Sequence, residues 1–296
     1  MSQATRRDFL KSSLAATLLA GTGAIPARAG RRSATDWVTL GKSGVKVTRL
    51  ALGTGTFSGR VQRELGQDGF TRLVRHAYDR GIRFFETAES YSGMPQMLAT
   101  ALKGIPRDSY KLMTKYSVHG AEDPQVKIDR FRKDLNSEYF DILLIHCVRS
   151  PRWPEETLSL QDAFSEAKSK KVILAKGASV HGLPALAEFA GNKWLDIAMI
   201  RMNHAGVKMD TPDTRDSENL GDVNQVVFET KKVHANGMGV ISMKLVGEGR
   251  FTKPEERAAA LKFAMSLGAV DTVTLGFKNT QEIDEAIETM NRVLNA

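Results

Sequence analysis

Phe84-Phe85-Glu86-Thr87-Ala88-Glu89-Ser90-Tyr91 is the stretch on which the fold turns. Preceded by Gly81-Ile82-Arg83, its two aromatics read as a short buried strand, and the polar residues after them turn out of it at the strand's carboxyl end. A phenol, Tyr91, is left there beside the carboxylates of Glu86 and Glu89. A buried phenol needs a partner for its hydroxyl, so two readings stand: a core tyrosine bonded to a backbone carbonyl, or a proton donor at a strand end.

Working outward, Lys111-Leu112-Met113-Thr114-Lys115 is an apolar strand closing on a lysine, and Phe140-Asp141-Ile142-Leu143-Leu144-Ile145-His146 one closing on a histidine. An ammonium at the end of a buried strand is costly unless it is paired. Phe70, Leu73, Val74, Ala77 and Tyr78 share a helical face before the strand at 84, and Val126, Ile128, Phe131 and Leu135 fill the interval before the strand at 140. Helical faces recur at 160–167, 183–190, 223–230, 258–265 and 283–294, with apolar strands at 172–178, 197–202, 240–245 and 272–277 between them. Strand followed by helix eight times, with no second pattern, predicts a single α/β domain: a (β/α)8 TIM barrel, which takes about 250 residues of this 296-residue chain. Such a barrel carries its reacting groups at the carboxyl ends of its strands, where Glu86, Tyr91, Lys115 and His146 fall.

These segments resemble the aldo-keto reductase family. Its tetrad is an Asp in an F-x-D-T-A-x-x-Y segment, the Tyr of that segment, a Lys closing the third barrel strand and a His closing the fourth in D-L-L-L-I-H. The resemblance covers residues 38 to 294 and departs at the first member, where Glu86 replaces Asp. It implies an NADP-dependent oxidoreductase interconverting a carbonyl (aldehyde, ketone or sugar) and an alcohol. In the implied roles, Tyr91 is the general acid/base with its pKa brought down by the Lys115 ammonium, His146 orients the carbonyl oxygen, and Glu86 holds the ammonium. The longer glutamate arm either bends and keeps the ion pair, which is the expectation adopted, or displaces Lys115.

The resemblance also assigns a cofactor site. It draws on Gly53 and Thr54 in Leu52-Gly53-Thr54-Gly55, on Ser179, on Lys244, Leu245 and Gly247 after the seventh strand, and on Gly276, Lys278, Asn279, Glu282 and Glu285 around the last helix start. Lys278 would meet an adenosine 2'-phosphate, which favours NADP over NAD, and the helix beginning near Asn279 would offer free backbone N–H groups to an anion. Three nicotinamide contacts differ from the family pattern: Val180, Met199 and Met243 stand where Asn, Gln and an aromatic are usual, with His181, Asn203 or His204 as candidate substitutes. Val38-Thr39-Leu40 and Val45-Lys46-Val47, around Gly41-Lys42-Ser43-Gly44, read as an N-terminal β-hairpin, which in the family plugs the bottom of the barrel. Phe57, His119, Trp153 and the polar loop 204–222 are expected to rim the mouth and meet the small-molecule carbonyl or sugar substrate.

Residues 1–29 read as a targeting segment, leaving 30–296 as the barrel domain. Thr5-Arg6-Arg7-Asp8-Phe9-Leu10-Lys11 matches the twin-arginine export motif, and the apolar run after it is too short for the roughly 20 residues that span a bilayer. Ala27-Arg28-Ala29 supplies a cleavage site before Gly30. The expected protein is periplasmic or otherwise exported, is handled by the twin-arginine machinery, and has no membrane segment in its mature form. Removing this segment takes away four of 42 basic and one of 34 acidic side chains, so the net charge falls from +8 to +5. With no basic run interleaved with aromatics, nucleic acid is not an expected partner. The sole cysteine, Cys147, excludes an intrachain disulfide and is expected to be a buried structural thiol, and no Cys or His spacing predicts a metal site.

Three rival readings stay open. An exported enzyme has no steady supply of fresh cofactor, which suits a sugar oxidoreductase or hydride shuttle with permanently bound NADP. Glu86, Val180, Met199 and Met243 point toward a non-catalytic binding or accessory barrel. A metal-dependent isomerase would use Glu86 and His146.

Overall fold

The computed structural model describes residues 31–118, 122–212 and 219–296. After a two-stranded antiparallel sheet, β1 (Trp37–Thr39) and β2 (Lys46–Thr48), eight parallel strands follow in chain order. They are β3 (Leu50–Gly53), β4 (Phe84–Glu86), β5 (Lys111–Ser117), β6 (Phe140–Val148), β7 (Ile173–Val180), β8 (Ile197–Arg201), β9 (Gly239–Met243) and β10 (Thr272–Leu275). Each pairs with the next, and β10 returns to β3, closing the barrel. The intervening helices are α1 (Arg60–Arg63), α2 (Gly66–Asp79), α3 (Met94–Leu102), α4 (Pro124–Asp134), α5 (Trp153–Glu156), α6 (Leu158–Ser169), α7 (Leu183–Ala187), α8 (Val223–Ala235), α9 (Pro254–Ser266) and α10 (Thr280–Leu294).

The strands are buried on both faces, which is why they read as nearly continuous apolar runs. Side chains alternate: Phe84, Met113, Ile142, Leu144, Met199 and Ile241 fill the barrel, while Phe85, Leu112, Leu143, Ile145, Ala198 and Val240 pack outward against the helices. Leu40, Val45 and Val47 of the hairpin join the interior cluster. Gly41 bridges to Met238, immediately before β9, with φ +47 and backbone so close that no Cβ would fit; the hairpin therefore closes the amino end as a floor.

Two strands run further than the sequence indicates. β5 continues past Lys115 to Ser117, and β6 past His146 to Val148. The register of β6 against β7 slips between Ile145 and Val148, where Cys147 takes φ +63; this bulge re-aims the side chains at the mouth. Far from the mouth, Arg32 and Asn295 are tied to each other: Arg32 N–H donates to Asn295 Oδ1 at 3.0 Å, and Asn295 Nδ2 donates to the Arg32 carbonyl at 2.7 Å. Among the described residues, no helix is long and apolar enough to cross a membrane.

Candidate active site

β4 ends at Glu86, but its hydrogen bonding to β5 continues beyond it. Thr87 N–H donates to the Met113 carbonyl at 3.0 Å and Glu89 N–H to the Lys115 carbonyl at 3.2 Å. The chain is thus led along β5 before it turns at Tyr91. Glu89 fixes that path, because its carboxylate accepts from Ser117 N–H at 3.0 Å and pairs with Lys127 at 3.0 Å and Arg130 at 3.2 Å, both on α4.

Lys115 is fully buried and its ammonium has three partners. It is ion-paired with Glu86, donates to the Thr87 carbonyl at 2.9 Å, and donates to the Tyr91 hydroxyl at 3.2 Å. The glutamate arm keeps its pair because Gly53 leaves room for it: a Cβ at Gly53 would lie 2.8 Å from Glu86 Oε2 and 2.7 Å from Thr274 Oγ1. Gly55 does the same for the phenol, since a Cβ there would lie 2.6 Å from the Tyr91 hydroxyl. The His146 ring stands edge-on to Tyr91 with centroids 5.7 Å apart, and its Nδ1 is 3.2 Å from Ser90 Oγ.

Burial sets the protonation of all three groups. It pushes the Tyr91 phenol well above its ordinary value, with Glu86 adding to the shift. Desolvation dominates that shift, and the lowering that the resemblance implies for a phenol beside Lys115 does not outweigh it. Desolvation also lowers Lys115, against the opposing pull of Glu86. His146 is held well below the ordinary imidazole range by burial and then by Lys115, His181 and Lys244. At neutral pH the mouth therefore holds a protonated phenol and a neutral imidazole, an arrangement suited to giving a proton to a developing alkoxide.

A cavity of about 260 Å³ begins at Glu86 and Tyr91, passes Met199 and Met243, and reaches Arg257 and Thr289 between α9 and α10. Gly53, Lys244, Leu245, Gly276, Lys278, Glu282 and Glu285 line it; Thr54, Ser179, Gly247 and Asn279 do not. The Thr54 hydroxyl donates to Thr87 at 3.0 Å, Ser179 Oγ accepts from Cys147 N–H at 2.9 Å, and Gly247 faces Val207, so these three serve the framework of the mouth. Asn279 caps α10 by accepting from Glu282 N–H at 2.9 Å, while Glu282 in turn accepts from Lys278 N–H at 2.8 Å. The start of α10 thus has one of its own N–H donors, that of Glu282, already engaged, and the Lys278 N–H just before the helix is taken as well, so fewer are free than the sequence indicates.

Other expectations are corrected by packing. Trp153 does not rim the mouth: it is 1% exposed and stacks edge-on against Phe189 at 5.4 Å, inside the helical layer. Asn203 is no substitute nicotinamide contact, because its amide donates to the carbonyls of Val207 and Lys244 at 2.7 and 3.2 Å and accepts from Ala205 and Val207. The His204 ring lies against Phe251. Phe57 is 48% exposed on the loop after β3, and Cys147 is only partly buried beside the site. His119, residues 213–218 of the polar loop and residues 1–30, which include the expected targeting segment, lie outside the described residues. Sequence reading gave no role in the site to Gly55, Ser90, Glu89 or Arg257, the last of which makes a two-point ion pair with Glu285 at 2.8 and 2.9 Å on the cavity wall. Only Gly55 had a visible signal, as the second glycine of Leu52-Gly53-Thr54-Gly55.

The donor set fits a dinucleotide along most of the cavity. Backbone and Lys244 line it after β9, Lys278 lines it after β10, and Thr274 Oγ1 is a buried wall hydroxyl with no partner among the described residues. At the nicotinamide end two thioethers, Met199 and Met243, offer an apolar face in place of side-chain amides. No three His, Cys, Asp or Glu residues among those described come together to hold a metal, and Glu86 is taken by Lys115.

Fold and site together define a TIM-barrel protein with a lysine-paired phenol and an imidazole at its carboxyl mouth. The chain belongs to the aldo/keto reductase family, whose model matches residues 49–260. It is 29% identical over 157 residues to "Probable aldo-keto reductase 1" of Glycine max, covering 47% of this chain and 44% of that one. It is 33% identical over 118 residues to the L-galactose dehydrogenase of Arabidopsis thaliana, covering 36% of each. The matched stretches span less than half the length of these curated relatives. Among solved structures, the barrel superposes on a putative aldo-keto reductase from Pseudomonas aeruginosa with a TM-score of 0.70 at 19% identity, covering 89% of this chain and 98% of that one. For the holo form of aldo-keto reductase AKR11C1 from Bacillus halodurans the values are 0.68 and 17%, with coverage of 88% and 95%. At these identities the likeness is one of fold.

Proposed function

We propose that this protein is an NADP-dependent oxidoreductase interconverting a carbonyl (aldehyde, ketone or sugar) and an alcohol, with Tyr91 as general acid/base. The observation that carries this reading is the 3.2 Å hydrogen bond from Lys115 to the Tyr91 hydroxyl, with the ammonium anchored to Glu86, at the head of the cavity. Bound NADPH would supply a hydride to one face of the carbonyl carbon. Tyr91 gives its proton to the carbonyl oxygen, and the Lys115 N–H that already points at the phenol stabilises the phenolate left behind. His146, neutral, donates to the same oxygen and orients it. Lys278, on the cavity wall, supports the 2'-phosphorylated cofactor, and likeness to an L-galactose dehydrogenase supports including sugars among the substrates.

The test is NADPH and NADH oxidation over a panel of aldehydes, ketones and aldoses, with Tyr91→Phe as control. The absence of both NADPH binding and turnover of any carbonyl would remove this reading and leave the accessory barrel. A second reading, a shuttle that keeps its NADP, draws support from one contact. Glu248 Oε1 accepts from Phe57 N–H at 3.3 Å while also pairing with Lys244, so the loops after β3 and β9 meet beside the cavity. Protein purified without added cofactor would then carry the absorbance band of reduced nicotinamide.

A further inference from the structure

We propose that Ser90 is the positioning residue that fixes His146 as the tautomer carrying its proton on Nε2. This rests on the role given to His146 above, because a neutral imidazole has a single N–H and helps a carbonyl oxygen only if that N–H faces it. Ser90 Oγ lies 3.2 Å from Nδ1, the only side-chain hydrogen bond of this ring among the described residues. A serine hydroxyl can donate or accept, and donation to Nδ1 leaves the proton on Nε2, across the ring from Ser90.

The hydroxyl is exposed, yet the backbone that carries it is pinned on both sides. Glu89, before it, is tied to Ser117, Lys127 and Arg130; Tyr91, after it, is tied to Lys115. The same short turn thus delivers the phenol and sets the imidazole, coupling two of the reacting groups through one residue. The groups that bear electrostatically on the ring from neighbouring elements, Lys115, His181 and Lys244, all oppose a second proton on it, so the ring is neutral and has one N–H to place.

Nitrogen NMR of protein labelled with ¹⁵N-histidine, with His146→Gln to assign the signal among six histidines, reads the tautomer directly. Wild type is expected to show a pyridine-type Nδ1 and a pyrrole-type Nε2. Ser90→Ala is expected to show a mixture of the two forms, and Ser90→Thr to restore the wild-type pattern. In the carbonyl assay Ser90→Ala is expected to lower kcat roughly fivefold, the loss of about one neutral hydrogen bond, with KM little changed. An unaltered tautomer in Ser90→Ala, or a wild-type ring protonated on Nδ1, would overturn the proposal. The NMR arm is decided without turnover, so an inactive wild type would count against the oxidoreductase reading alone.

Discussion

At the residue scale, one methylene separates Glu86 from the aspartate of the family pattern, and Gly53 supplies the space for it. Removing the charge from one side of a buried pair leaves the other uncompensated, so Glu86→Gln is expected to lower stability by about 3 kcal/mol in urea denaturation. Gly53→Ala should destabilise by about 1–3 kcal/mol through overpacking, and by less when combined with the shorter Glu86→Asp; equal losses in both backgrounds would show that Gly53 does not serve the glutamate. The pKa shifts give two further expectations. Because Tyr91 is held above its usual value, alcohol oxidation, which needs the phenolate, should accelerate with pH up to and past 10, while carbonyl reduction stays flat through neutrality. Because His146 is held below its usual value, the unfolded chain takes up a proton near pH 6.5 before the folded one does. Stability is therefore full above that pH and falls as pH drops below it, by at most about 1.4 kcal/mol per unit, and His146→Gln should flatten that part of the urea-midpoint profile. The phenol, ammonium and imidazole were legible in the sequence because each is an unusual group at the end of an apolar run. That Gly53 and Gly55 make room for them, and that Ser90 meets the ring, was not, since a missing Cβ shows no purpose in sequence and a 3.2 Å contact between residues 56 apart leaves no local pattern.

At the element scale, seven of the eight barrel strands were readable from apolar runs and the first, Leu50–Gly53, from the family resemblance, but their ends were not. β5 and β6 outlast Lys115 and His146 because pairing with their neighbours, not side-chain polarity, decides where a strand stops. The Cys147 bulge leaves no sequence mark, and Trp153 misled because a large aromatic between prolines looks the same whether it faces solvent or a neighbouring ring. The floor is a separable element. Leu40→Ala should destabilise the protein by about 2–5 kcal/mol, measured by denaturant midpoint, yet leave kcat and KM unchanged in conditions where the variant is folded, since the reacting groups lie at the other end of the barrel. Asn279→Ala should lower stability by about 1 kcal/mol by uncapping α10 and, through the linked Glu282, weaken binding at the far end of the cavity.

At the scale of the whole molecule, a ligand that binds only the folded barrel stabilises it by an amount that grows with the logarithm of its concentration over Kd. NADPH at about 100 times its Kd should add roughly 2.7 kcal/mol, and the smaller shift given by NADH at equal concentration would measure what the 2'-phosphate contributes. The reading of residues 1–29 as a targeting segment carries its own expectation: replacing Arg6 and Arg7 with lysine should hold the chain in the cytoplasm in a cell-fractionation experiment, and unchanged export would remove that reading. The barrel as a whole was legible because strand and helix alternate without interruption, whereas the cavity, shaped by the loops after β3 and β9 and by the start of α10, depends on segments distant in the chain. One consequence follows from the mutual grip of Arg32 and Asn295. A short linker joining these positions, with new ends opened in a surface turn between two helices and strands, should give a circularly permuted barrel in which every strand keeps both neighbours.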